Sequence, residues 1–206
     1  HRGERWNPRM KSFLTGKKDG VYIFDLEQTS ERLEKACSFL KGLKIQNKKV
    51  LFVGTKPQTQ FVIQNVLEGT DFYYVDKKWT PGLLTNFKEL RRRIDFYLQL
   101  KDQFETGDIN KYTKKEVAAF KKELEKLDQS YGGVSEMRQR PDAVIVLDAF
   151  VDRIAIDEAN KANIATVAIA DANANPDGID YLVPGNDDSL QALNLLVQEF
   201  VDAMKK

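Results

Sequence analysis

A chain of 206 residues, 42% of them hydrophobic, can bury one real core, and apolar runs of about six residues are too short to cross a bilayer. A single cysteine (Cys37) and a single histidine (His1) exclude a disulfide framework, a zinc site, a Ser-His-Asp triad and a Cys-His pair within the chain, and favour a reducing, cytoplasmic setting. The net charge of +1 is segregated: residues 1–140 hold 28 Lys and Arg against 19 Asp and Glu, and residues 141–206 hold 4 against 12. One surface is therefore expected to meet a polyanion and another to face solvent or a basic partner.

No signal peptide is visible, and the opening at His1 leads us to expect a trimmed N-terminus. Residues 1–20 read as a basic arm carrying Arg2, Arg5, Arg9, Lys11, Lys17 and Lys18. Trp6 sits among the arginines, so the arm offers both charge for phosphate and a flat face for stacking on a base or sugar. Val21–Leu26 reads as a strand. Thr29 or Ser30 is expected to cap the next helix, with Leu33, Ala36, Cys37, Leu40 and Leu43 as its buried face.

The run Val50–Val53 has the continuous apolar character of a strand buried on both faces, and Gly54-Thr55-Lys56 turns it into a helix over Gln58–Leu67. A third strand follows at Phe72–Val75. Three strand–helix crossovers predict an open parallel α/β sheet with helices on both faces. After an exposed basic loop holding Lys77, Lys78 and Trp79, residues 86–131 read as an inserted antiparallel helical hairpin of coiled-coil spacing. Asn86 with Glu89 and Thr113 with Glu116 form its two expected capping boxes, and each arm is roughly 27 Å long. The chain then re-enters the α/β domain, which comprises residues 21–85 and 132–206. Strands are expected at Ala143–Asp148, Ala165–Ala170 and, at the edge, Tyr181–Pro184, with helices over Ile154–Ala162 and from Ser189 to Met204.

Three sets of residues carry candidate chemistry. The Gly54-Thr55-Lys56 turn lacks the glycines of a P-loop or a dinucleotide fingerprint, and Pro57 removes an N–H, so it cannot wrap a nucleotide phosphate. Asp25, Asp148 and Asp171 fall at the carboxyl ends of predicted strands and could together hold Mg²⁺ for phosphoryl transfer, although no nucleophile or general base accompanies them. The basic set is larger: the arm, Lys56, Lys77, Lys78 and Trp79, Arg91, Arg92 and Arg93, and Arg138. Counterion release by such residues drives binding to RNA without reading its sequence. No cofactor, small-molecule substrate or membrane partner is expected.

The chain also resembles the bacterial-type small-ribosomal-subunit protein S-two family. The motifs are Arg-Trp-Asn-Pro-Arg-Met (5–10), Val-Leu-Phe-Val-Gly-Thr-Lys (50–56), Leu-Thr-Asn-Phe (84–87), Thr-Lys-Lys-Glu (113–116), Tyr-Gly-Gly-Val (131–134), Arg-Pro-Asp-Ala (140–143), Ile-Ala-Ile-Asp-Glu-Ala (154–159) and Pro-Gly-Asn-Asp-Asp-Ser (184–189). The resemblance implies a flavodoxin-like domain with a protruding helical hairpin. It also implies a non-catalytic role in the small ribosomal subunit, in contact with 16S-type rRNA, neighbouring proteins and the large S-one protein. The chain departs from the family pattern at Lys78-Trp79-Thr80-Pro81-Gly82 and at Asp171–Pro176.

Overall fold

The computed structural model describes residues 6–205. Strand β1 (Leu14–Lys18) pairs antiparallel with β2 (Val21–Phe24) as a separate two-stranded ribbon. Its turn is Asp19-Gly20, both at positive φ (52° and 81°), the conformation that two-residue hairpin loops demand. This corrects the reading of Val21–Leu26 as a strand of the parallel sheet: the Asp-Gly dipeptide folds it back on the arm. Helix α1 (Leu26–Ile45) starts earlier than expected because Asp25 is its cap, accepting from the N–H groups of Glu27 and Gln28. Thr29 instead donates its hydroxyl to the carbonyls of Asp25 and Pro184, tying α1 to the sheet.

The main sheet comprises β3 (Val50–Val53), β4 (Tyr73–Val75), β5 (Ala143–Val146), β6 (Ala165–Ala170) and β7 (Tyr181–Pro184), in the order β4-β3-β5-β6-β7 and parallel throughout. Numbered within the sheet this is 2-1-3-4-5, the flavodoxin-like order, whose ligand crevice opens where strand order reverses, between β3 and β5. Helix α2 (Pro57–Val66) connects β3 to β4, α5 (Arg153–Lys161) connects β5 to β6, and α6 (Leu190–Lys205) follows the last strand.

Side chains alternate across each strand, so the sheet feeds two cores. Phe52, Ile145 and Val183 pack with Leu40 of α1, Val62 and Ile63 of α2 and Phe200 of α6. Leu51, Val53, Val144 and Val146 join Ala155 and Ile156 of α5 on the other face.

The insertion forms two helices, α3 (Phe87–Thr106) and α4 (Lys114–Tyr131). Their buried residues Leu90, Ile94, Tyr97, Leu100, Leu127 and Tyr131 belong to that second core, so the hairpin's inner face is contiguous with the domain. The Tyr97 hydroxyl donates to Asp128 across the pair at 2.5 Å. The capping box forms at Thr113 and Glu116 but not at Asn86, which makes no side-chain cap bond. At the exit, Gly133 passes so close to β4 that a Cβ there would collide with the Tyr74 carbonyl oxygen.

Candidate nucleic-acid interface and the closed ligand edge

The crevice between the carboxyl ends of β3 and β5 is filled by the chain itself. Gly54 permits close packing of α2, since a Cβ there would lie 2.7 Å from that of Thr59. Thr55 donates its N–H and hydroxyl to Asp152 at 3.0 and 2.7 Å. The Lys56 ammonium then reaches Asp148 (3.1 Å), Asp187 (2.8 Å) and Asp188 (2.5 Å). Asp148 uses its other oxygen to accept the N–H groups of Phe150 and Val151. Asp171 accepts from the N–H groups of Ala172 and Asp187.

Burial, and next the charge of Asp148, push the Asp187 carboxyl up to about 7 against the pull of Lys56. Burial works to lower the Lys56 ammonium, but its bonds to Asp187 and Asp188 outweigh that and hold it well above the ordinary lysine range.

Two expectations change here. Lys56, with only 15% of its side chain exposed and three carboxylates around it, is committed to this cluster and presents no charge to a phosphate. The triad Asp25, Asp148 and Asp171 does not assemble as a metal site either, because the Asp25 carboxylate is taken up in capping α1 and bonding the Gln28 amide. The structure instead brings oxygens of Asp171, Asp187 and Asp188 within 4.8 Å of one another, with Lys56 bonded to the latter two. Sequence reading missed Asp152, Asp187 and Asp188. A signal existed for the last two: they follow β7 directly, at the same sheet edge.

Trp79 also changes role. Only 8% of it is exposed, and its indole N–H donates to Glu158 of α5 at 2.9 Å, so it has no free face for a base. Glu158 accepts further bonds from the N–H of Leu84 and from the N–H and hydroxyl of Thr85, which folds the Thr80–Asn86 turn around one carboxylate. Burial alone would raise this acid, but the bonds from Thr85, Leu84 and Trp79 prevail and lower it.

The remaining basic positions divide by their engagement. Arg2 and Arg5 lie outside the described residues. Trp6 is half-buried with its ring centroid 5.2 Å from that of Tyr22, and Arg9 pairs with Asp177. Lys11, Lys17 and Lys18 are exposed on the arm and ribbon, as are Lys77 and Lys78 in their loop. Arg91 is largely structural: its guanidinium holds Asp95 at 2.6 Å and the carbonyls of Ser135 and Met137 at 2.8 Å. Arg92 is exposed beside Glu89, and Arg93 and Arg138 are also exposed. Between the start of α3 and residues 138–140 lies a groove of about 540 Å³, lined by Phe87, Lys88, Arg91, Arg138 and Arg140 among others.

The domain is thus flavodoxin-like, with the crevice between β3 and β5 occupied by its own ion pairs and with exposed cations on the ribbon, the loop and the hairpin base. The chain belongs to the Ribosomal protein S2 family, whose model it matches over residues 1–206, and so has a structural role in the small ribosomal subunit rather than an enzymatic one. It is 38% identical over 204 residues to "Small ribosomal subunit protein uS2" of Dehalococcoides mccartyi strain 195, covering 99% of this chain and 83% of that protein. The same-named proteins of strains BAV1 and CBDB1 are each 39% identical with the same coverage. Among the described residues no helix is long and apolar enough to cross a membrane.

Proposed function

We propose that this chain is a cytoplasmic constituent of the small ribosomal subunit that binds 16S-type rRNA through the cations of its arm, ribbon, basic loop and hairpin base. The observation that carries the reading is how the charge is distributed after folding. Five carboxylates of the acidic third, Asp148, Asp152, Glu158, Asp171 and Asp187, are buried. Their acceptors take up backbone N–H groups, hydroxyls and the indole of the chain itself. Among the described residues Lys56 is the cation paired with Asp148 and Asp187, while Lys11, Lys17, Lys18, Lys77 and Lys78 stay exposed, which supports a solvent-facing surface more basic than the net charge of +1 suggests.

Lys11, Lys17, Lys18, Lys77, Lys78, Arg92, Arg93 and Arg138 are the described contacts in this reading, with Arg2 and Arg5 assigned from sequence. Neighbouring small-subunit proteins, including a large S-one protein, are its protein partners by family resemblance. The test is sedimentation of lysate through a sucrose gradient. The protein travels with the small subunit at low salt and is stripped as salt rises, because phosphate contacts are salt-labile. Recovery only as free protein at low salt would overturn the proposal.

A further inference from the structure

The groove at the base of the hairpin is a built feature. Arg91, one turn into α3, pins the returning chain by its two bonds to the carbonyls of Ser135 and Met137, and Asp95 holds the guanidinium in place. The clamp precedes Arg138 and Arg140, which line one groove together with Lys88 on the first turn of α3. Arg138 is 67% exposed, and the carboxylates it meets among the described residues are distant, Asp95 at 3.8 Å and Glu136 at 4.0 Å. Lys88 and Arg140 are exposed as well. The half-buried Phe87 ring is the aromatic part of the lining, and a volume of about 540 Å³ is large enough for a nucleotide-sized group. Three exposed cations and one aromatic ring in one groove match the chemistry of a phosphodiester carrying a base: charge for the phosphates and a π-face for the ring.

We infer that this groove is a specific RNA site, taking a single-stranded or looped segment with its phosphates between Lys88, Arg138 and Arg140 and a base against Phe87. The inference rests on the RNA-binding reading above but is narrower, because it assigns one place and a stacked geometry. An extended acidic peptide would satisfy the cations but would not need the ring.

The test titrates full-length protein with purified small-subunit rRNA, and separately with polyglutamate as a competitor. The variants are Lys88→Gln/Arg138→Gln/Arg140→Gln and, separately, Phe87→Leu. If the groove is the site, the triple variant binds RNA at least tenfold more weakly at moderate salt. The slope of log affinity against log salt falls by about 2, at about 0.7 per lost phosphate contact. Phe87→Leu weakens binding several-fold while leaving the slope unchanged, and photo-crosslinked nucleotides map to peptides 84–93 or 135–140. Unchanged affinity and slope in the triple variant overturn the inference, and so does polyglutamate displacing RNA at equal charge concentration. Low-salt sedimentation with the subunit separates the two levels. A triple variant that still enters subunits with RNA affinity intact removes the groove alone, whereas parent protein that never enters them removes the broader reading. Lys88, Arg138 and Arg140 are exposed and Phe87 is half-buried against the core, so circular dichroism checks that each variant is folded.

Discussion

Trp79 donates its indole N–H to the carboxylate of Glu158 at 2.9 Å, 79 residues further along the chain. That contact makes Glu158 the post around which the loop before the hairpin is wound. Glu158→Gln keeps the shape but removes the charge and replaces one acceptor with a donor. It is expected to cost about 1–3 kcal/mol in urea unfolding and to shift Trp79 fluorescence to longer wavelength. The pH dependence follows from the depressed acid. Its folded value lies below the ordinary 4.5, so its contribution is complete above that value and is lost as pH falls through the folded one. Stability measured from pH 6 down to pH 3 should therefore decline in the parent, and this component of the decline should be missing in Glu158→Gln.

Lys56 is the only cation bonded to Asp148, Asp187 and Asp188 among the described residues. Lys56→Met leaves buried carboxylates without it, and a loss of about 3–5 kcal/mol at pH 7 is expected. Burial raises the Asp187 carboxyl above its ordinary 3.8, and loss of Lys56, which pulls it down, raises it further, so near neutral pH the native state of the variant holds more protons than the unfolded one. Stability of the variant should accordingly rise as pH drops from 7 to 5. A Lys56→Met protein within 1 kcal/mol of the parent at both pH values would contradict this account.

Tyr97 joins the two hairpin helices through Asp128, and burial followed by this bond holds its hydroxyl above the ordinary tyrosine range. Tyr97→Phe keeps the ring in the core and deletes one bond, so global stability should fall by only about 1 kcal/mol. The local effect should be larger. Amide exchange across residues 87–131 is expected to quicken more than exchange in β5 or β6, since the lost bond joins α3 to α4 and touches neither strand.

Gly133 tests how tightly the hairpin's exit is seated on the sheet. Alanine there meets the Tyr74 carbonyl and lies 2.6 Å from its ring, whereas a methyl added at Gly16 in β1 would have no atom within 4 Å. Gly133→Ala should lower stability by about 1–3 kcal/mol, with Gly16→Ala close to neutral in the same thermal melt. Equal melting temperatures for the two would show that β4 can give way.

Much of the architecture is legible in the chain because it depends on local pattern. The buried runs Val50–Val53 and Ala165–Ala170, the edge strand Tyr181–Pro184 and the cap at Thr113 all follow from apolar continuity, turn residues and the Thr-x-x-Glu spacing. Val21–Phe24 is misplaced by sequence because a short apolar run does not state its partner, and here the Asp19-Gly20 turn decides it. The site is less legible than the fold. Lys56 and Trp79 look in sequence like the exposed cations and rings of an RNA surface. Nothing local distinguishes them from Lys77 or Lys78, which remain in solvent.

Residue type and spacing alone carry the α/β class, the inserted helices, the family and the separation of a basic two-thirds from an acidic third. Where that charge is spent is set by the folded arrangement and by nothing local. Lys56 finds its carboxylates 92 and 131 residues away, and Glu158 finds its donors 73 to 79 residues away. Pairings at such separation are fixed by strand order and helix packing. They turn five carboxylates of the acidic third inward and leave the cations of the ribbon, the loop and the hairpin base exposed.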